Sequence, residues 1–233
     1  MATLTRLEHL TLNNTGVTDI GLKHVSALPR LSDLWLSDTK VTDAGLKELS
    51  ALKGLTTLYL AGTGTTDAGA KTIAEMKGLR KLDLSKTKVT DTAVSALSGC
   101  EALEELVVNH TALTDAGLKS IAQFKRLRAL YMAGTRITDG GLKELAALKG
   151  LQELGVGFTS VTDAGVKELA ALPRLEKLYL QRTKVSDKAV PDLIRLSRLR
   201  VLDLKNAAVT SEGFAAISDG LPDCTFPYYL PLP

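Results

Sequence analysis

The chain has 233 residues, 45% hydrophobic and 24% charged, with 29 basic against 26 acidic side chains. A net charge of +3 gives no field strong enough to demand a nucleic acid or an anionic membrane. No run of about 18 apolar residues is present for a membrane helix, and no signal-peptide pattern opens the chain.

Residues 2–6, ATLTR, align with SALPR at Ser26–Arg30, so the chain enters part-way through a repeat. We therefore expect a segment of a larger array, with an open sheet edge at its N-terminal side. From Leu7 onward a 24-residue unit recurs nine times without insertion, as in LRALYMAGTRITDGGLKELAALKG from Leu127 to Gly150. Position 1 is leucine from Leu7 to Leu199, and position 4 is leucine from Leu10 to Leu202. Position 9 is threonine from Thr15 to Thr183 and then Ala207. Positions 12 and 13 read Thr-Asp or Ser-Asp until Thr210-Ser211. Self-similarity at this period is the mark of a solenoid and takes precedence over other readings.

Within a unit, the leucines at positions 4 and 6 alternate with variable residues, predicting a short half-buried strand over positions 3–8. Stacked units would place these strands in a parallel sheet. The threonine column at position 9 follows, where its hydroxyls can satisfy backbone groups that the sheet leaves unpaired. The Thr-Asp pair predicts a helix start, either side chain accepting from free N–H groups. The helix then buries positions 16, 19 and 22, such as Leu142, Leu145 and Leu148, and basic residues such as Lys149 close it. Position 15 is glycine in seven copies and alanine at Ala93 and Ala189, which points to a demand for small size rather than for positive φ.

Cys100 stands at position 22, a core position, and Cys224 lies about five units on, roughly 24 Å away at ~4.8 Å per strand. A disulfide is out of reach at that separation, and two free thiols suit a reducing, cytoplasmic setting. We divide the chain into an array over 1–219 and a cap over 220–233, GLPDCTFPYYLPLP. Proline cannot donate to a ladder, so this tail should blunt the last strand while Phe226, Tyr228 and Tyr229 pack over its core.

These units closely resemble the leucine-rich repeat family, whose strand reads L-x-x-L-x-L. The V-T-D-x-G-L-K-x-L segment is similar to the cysteine-containing, ribonuclease-inhibitor-like subclass, with threonine in place of the cysteine at position 9. Threonine-bearing T-D-x-G-L repeats of this kind resemble those of large bacterial repeat proteins. The resemblance covers residues 2 to about 217. It implies an α/β leucine-rich repeat solenoid, curved, with a parallel β-sheet on the concave face and α-helices on the convex face. It implies partner binding on the concave side and no particular activity.

Positions 3, 5, 7 and 8 should face outward from the sheet. Position 5 carries Trp35, Tyr59, Tyr131 and Tyr179, with Phe158 at position 8 close by. Outward aromatics anchor interfaces, although aromatics also favour strands and shield a sheet by packing across it. Around them stand Asp33, Lys81, Glu105, Glu153, Lys177, Arg182 and Lys205, a mixed-sign surface that favours a protein or peptide over a polyanion. We take Trp35, Tyr59, Tyr131, Phe158, Tyr179, Asp33, Lys81, Glu105, Lys177 and Arg182 as the contact strip. His9, His24 and His110 do not converge, and no spacing fits a metal site or a nucleophile with its base. The lysine rows at positions 10 and 17 read as solvated faces. The expectation is a non-catalytic module without cofactor, metal, nucleic acid or membrane. It would be monomeric, or weakly self-associating through its open N-terminal edge. The alternative is a structural spacer that self-associates through that edge and has no dedicated ligand.

Overall fold

The computed structural model describes residues 4–227. Two compact units divide the chain, Met1–Ala112 and Leu113–Pro233. The first holds strands β1 (His9–Thr11), β2 (Asp33–Trp35), β3 (Thr57–Tyr59), β4 (Lys81–Asp83) and β5 (Glu105–Val107). Between them run helices α1 (Asp19–Val25), α2 (Asp43–Leu49), α3 (Asp67–Ile73) and α4 (Asp91–Ala96). The second unit holds β6 (Ala129–Tyr131), β7 (Glu153–Gly155), β8 (Lys177–Tyr179) and β9 (Val201–Asp203). Its helices are α5 (Asp115–Ile121), α6 (Asp139–Leu142), α7 (Asp163–Leu169), α8 (Val190–Arg195) and α9 (Ser211–Gly220). Helical turns of the tighter 3₁₀ type extend α4 and α6 and precede α8.

Within each unit every strand lies parallel to the next, and partners in register are one repeat apart: Leu34 faces Leu58, and Leu154 faces Leu178. The leucines at positions 1, 4 and 6 and the helical residues at 16, 19 and 22 close on one another from opposite sides. Leu34, Leu58, Leu82, Leu142, Leu145 and Leu178 are 0% exposed. The core is thus a repeated layer between strands and helices, and truncating any of these leucines to alanine should cost about 2–5 kcal/mol.

The strand expected over positions 3–8 has regular geometry only at positions 3–5, yet its ladder runs further. The Leu12 N–H donates to Trp35 O at 2.8 Å and the Asn14 N–H to Ser37 O at 2.9 Å. At position 8 the chain then swings into the left-handed region. In the first unit φ is 57° at Asn14, 55° at Asp38, 67° at Gly62, 54° at Lys86 and 54° at His110. In the second it is 67° at Gly134, 57° at Phe158, 54° at Arg182 and 58° at Asn206. Position 8 is therefore a turn residue, not one more outward strand position, which corrects the reading of Phe158 and Arg182 as members of the strand column. Asparagine, aspartate, glycine and histidine recur there because they tolerate this conformation.

The threonine at position 9 closes that turn on itself. Thr39 Oγ1 donates to Leu36 O at 2.7 Å and Thr135 Oγ1 to Met132 O at 2.6 Å, both buried. In the third copy a second threonine, Thr65, replaces the usual apolar residue at position 11. Its buried hydroxyl is matched by Thr63 Oγ1 at 2.8 Å.

The helix start works differently from expectation. The position-12 threonine alone caps its own helix: Thr42 Oγ1 accepts from the Ala44 N–H and Thr162 Oγ1 from the Ala164 N–H. The aspartate beside it reaches into the following repeat instead. Asp43 accepts from the Thr66 N–H at 2.8 Å and from the Thr66 hydroxyl at 2.6 Å. Asp139 does the same with Thr162 at 2.8 and 2.7 Å. One carboxylate thus joins consecutive repeats through two bonds. The glycine at position 15 makes room for it, since a Cβ on Gly69 would lie 2.3 Å from Asp43 Oδ1 and one on Gly165 2.4 Å from Asp139 Oδ1. Small size is the demand, as expected. At Ala93 the Asp67 tip still reaches Thr90, so one methyl is accommodated.

Beyond α9, Thr225 forms a parallel bridge with Val201, donating its N–H to Arg200 O at 2.8 Å and accepting from the Leu202 N–H at 3.0 Å. Phe226 meets Phe214 edge-on with centroids 4.8 Å apart. Tyr228 and Tyr229 lie outside the described residues. Cys100 and Cys224 are both buried and free.

Candidate functional site

Positions 3 and 5 project from the strands on the side away from the helices, so the outward face of each unit is a grid of two residues per repeat. In the first unit the grid is a continuous network. His9 Nδ1 stands 2.6 Å from Asp33 Oδ2, and Ser32 Oγ donates to the same oxygen at 2.8 Å. Burial pushes the Asp33 carboxyl up, but donations from Thr57, Ser32 and His9 outweigh it and hold the group below its ordinary range. The His9 ring lies 6.5 Å from Trp35, which meets Tyr59 edge-on at 6.2 Å. Tyr59 then donates its hydroxyl to Glu105 Oε1 at 3.2 Å, while Lys81 Nζ approaches Glu105 Oε2 at 3.7 Å. Burial, reinforced by Glu105, pushes the Tyr59 phenol up to about 12, so it stays a donor.

The second unit repeats the theme with other residues. Tyr131 and Tyr179 rings sit 6.0 Å apart, two repeats removed in sequence. Gly155 between them makes this possible: a Cβ there would lie 2.8 Å from Tyr131 Cδ1. The Tyr131 hydroxyl donates to Glu153 Oε2, and Lys177 Nζ donates to Glu153 Oε1 at 2.8 Å. Burial raises the Glu153 carboxyl, yet Lys177 and Tyr131 together hold it low, and Glu153 in turn raises the Lys177 ammonium. Burial, with Glu153 beside it, also raises the Tyr179 phenol.

The contact strip read from sequence therefore resolves into two clusters. Asp33, Trp35, Tyr59, Lys81 and Glu105 are joined in the first unit. Tyr131, Lys177 and Tyr179 are joined in the second, through Glu153. Phe158 and Arg182 stand apart from the strand grid at the left-handed turns, the Arg182 guanidinium 5.2 Å above the Phe158 ring centroid. With Gln181, Lys205 and Asn206 they line an open cleft of about 150 Å³. Gln181 and Asn206 were not singled out by sequence reasoning. The signal that marks the cleft was position 8 itself, where Phe158 and Arg182 follow one another in a column that elsewhere holds mostly glycine, asparagine and aspartate. At position 5, Asp83 and Asp203 bond their own turns at Ser85 N and Lys205 N, so those two carboxylates are engaged in structure.

Among the described residues no group of three or more His, Cys, Asp or Glu side chains is placed to hold a metal ion. No described helix is long and apolar enough to cross a membrane.

A parallel strand, a left-handed turn and a threonine-capped helix, recurring every 24 residues over a leucine core, define the fold as a leucine-rich repeat solenoid. The leucine rich repeat family profile matches residues 77–137. In fold the chain is similar to an internalin of Listeria monocytogenes, with 21% identity over 99% of this chain and 83% of that one and a TM-score of 0.57. Internalin C2 of the same species shares 28% identity over 97% of this chain and 83% of its own, with a TM-score of 0.56. A leucine-rich repeat protein of Leptospira interrogans gives a TM-score of 0.69 at 22% identity, and this chain, 97% of it aligned, spans 62% of that one. No curated protein sequence matches the chain.

Proposed function

We propose that the chain is a non-catalytic interaction module that binds a protein or peptide on the outward face of its strands. The observation that carries this reading is the state of the aromatic rings. Trp35, Tyr59, Tyr131 and Tyr179 are half-buried, each braced by a neighbouring ring or ion pair, with part of every ring left to solvent. A ring already held in place loses little freedom on docking and offers a large apolar area with a polar tip. The flanking Asp33, Lys81, Glu105 and Lys177 carry both signs, which suits a protein surface better than a nucleic acid. Neither a cofactor nor a metal enters this reading.

The test is affinity capture from lysate of the source cells with the parent chain and with Trp35→Ala/Tyr59→Ala/Tyr131→Ala. A partner held by the parent should fall by tenfold or more with the triple variant, since buried aromatic anchors carry about 2 kcal/mol or more each. Equal capture by a variant that melts like the parent would discard the aromatic face as the site.

Within the fold class we place the repeats in the ribonuclease-inhibitor-like group, with threonine replacing its cysteine, and we place the protein in the cytoplasm. We treat 1–219 as the array and 220–233 as its cap. A spacer role is favoured by one observation. Ile20 and Leu4 are 72% and 48% exposed at the N-terminal side, where Thr18 makes no side-chain cap bond. Light scattering separates the readings: mass rising with concentration supports the spacer, and a constant monomer mass supports the binding module.

A further inference from the structure

Phe158 is out of place by the chemistry of its own turn. Position 8 takes positive φ in every described copy, and Phe158 holds it at 57° with a bulky aromatic side chain where five other copies use glycine, asparagine or aspartate. Its ring is 46% exposed, so core packing does not account for it. One repeat later, at the same position and with the same positive φ, Arg182 stacks on that ring. Their open cleft has Gln181, Lys205 and Asn206 as its other walls and no acidic side chain among them. Arg182 and Lys205 both line it, and the Arg182 guanidinium lies over the Phe158 ring.

We propose that this cleft is the acidic-side-chain subsite of the module: it takes an aspartate or glutamate side chain of a bound peptide. The carboxylate would pair with Arg182, and the peptide's neighbouring apolar group would lie on Phe158. This assignment rests on the reading of the strand face as a peptide-binding surface and names one piece of its specificity. A side-chain carboxylate fits better than a chain end. Capture of a terminal carboxylate relies on converging backbone N–H groups. Here the N–H groups of Phe158 and Arg182 donate to Gln181 O and Lys205 O at 2.8 and 2.9 Å, and that of Lys205 donates to Asp203 Oδ1. The Arg182 side chain offers a ligand a stacked guanidinium, pre-set for planar carboxylate recognition.

Two-dimensional NMR titration of the full chain tests it with three N-acetylated probes. These are Ac-Gly-Phe-Glu-Gly-NH₂, its Gln twin, and Ac-Gly-Phe-Gly-Gly with a free C-terminal carboxylate. The expected result is saturable shifts of the Arg182 Nε–H and the Phe158 ring with the Glu peptide alone, weakened at least tenfold in Arg182→Gln. Phe158→Asn should also lose the Glu peptide while melting no lower than the parent, because asparagine suits the turn. Equal shifts with the Glu and Gln peptides overturn the proposal, as does binding that survives Arg182→Gln. A response to the free-carboxylate probe alone transfers the cleft to chain ends and overturns the side-chain assignment. Shifts confined to Tyr131 and Tyr179 would overturn the cleft yet leave the wider strand face standing, so the two failures are distinguishable.

Discussion

Asp139 holds two bonds outside its own repeat, and the Thr162 that receives it caps the next helix with the same hydroxyl. Removing the carboxylate by Asp139→Ala should therefore loosen both the joint and the cap. Bonds to charged groups contribute about 1.5–3 kcal/mol each when buried and less at this part-exposed site. A net loss of about 1–3 kcal/mol is expected in urea unfolding, with Asp139→Asn losing less because its amide oxygen can still accept from Thr162 N–H. Gly62 shows the opposite kind of dependence. A Cβ there would meet Asp38 Oδ1 at 2.2 Å and must also sit at φ +67°, so Gly62→Ala should lower stability by about 1–2 kcal/mol. A melting temperature equal to the parent's would show that the turn relaxes at no cost. Burial pushes the Cys100 thiol up to about 11. Native protein at pH 8 should thus resist alkylation at Cys100 that proceeds readily once urea exposes it.

At the scale of one element, the β7–β8 pair carries a pH dependence. Lys177 and Tyr131 hold Glu153 below its ordinary range in the folded chain. The folded state then binds that proton less tightly than the unfolded one. The stabilisation is complete above the unfolded carboxylate range and is lost as pH falls through the folded value. Urea midpoints measured on the acid side should fall less steeply for Glu153→Gln than for the parent; parallel curves would remove Glu153 from the account. The strands and helices were the legible part of this chain, because leucines at positions 1, 4 and 6 and at 16, 19 and 22 announce two periods in one unit. The Thr-Asp pair was legible as a helix start but not in its division of labour. Two acceptors at one helix start were a sign that one of them served elsewhere, yet nothing in the local spacing says that Asp43 turns toward Thr66. The left-handed turn at position 8 was written in Asn14, Asp38, Gly62, Gly134 and Asn206, and was hidden by reading Phe158 and Arg182 with their neighbours on the strands. The pairings His9 with Asp33 and Tyr131 with Glu153 depend on rotamers, which periodicity does not encode.

For the molecule as a whole, a fixed offset of one repeat in every described strand pairing makes the repeat, rather than the residue, the unit of tolerance. Excising residues 151–174 brings Leu175 to the place of Leu151, so Lys177 inherits the partners of Glu153 and the aspartate ladder re-forms. We expect that shortened chain to fold, with unchanged ellipticity per residue and a lower melting temperature, as a stack of nearest-neighbour units requires. Excising only 151–162 sets helix residues against strands and should abolish cooperative unfolding. If both deletions unfold alike, register is not what holds the stack.

The aspartate bridge has a direction: within each unit a repeat extends a carboxylate to its successor and offers a threonine, or Ser186, to its predecessor. Any two copies that carry both groups are therefore compatible as neighbours in that order, whatever their outward residues. Recombination between misaligned copies of the gene would insert or delete whole turns while leaving every joint chemically intact. Array length and surface pattern can then be inherited, shuffled and selected separately.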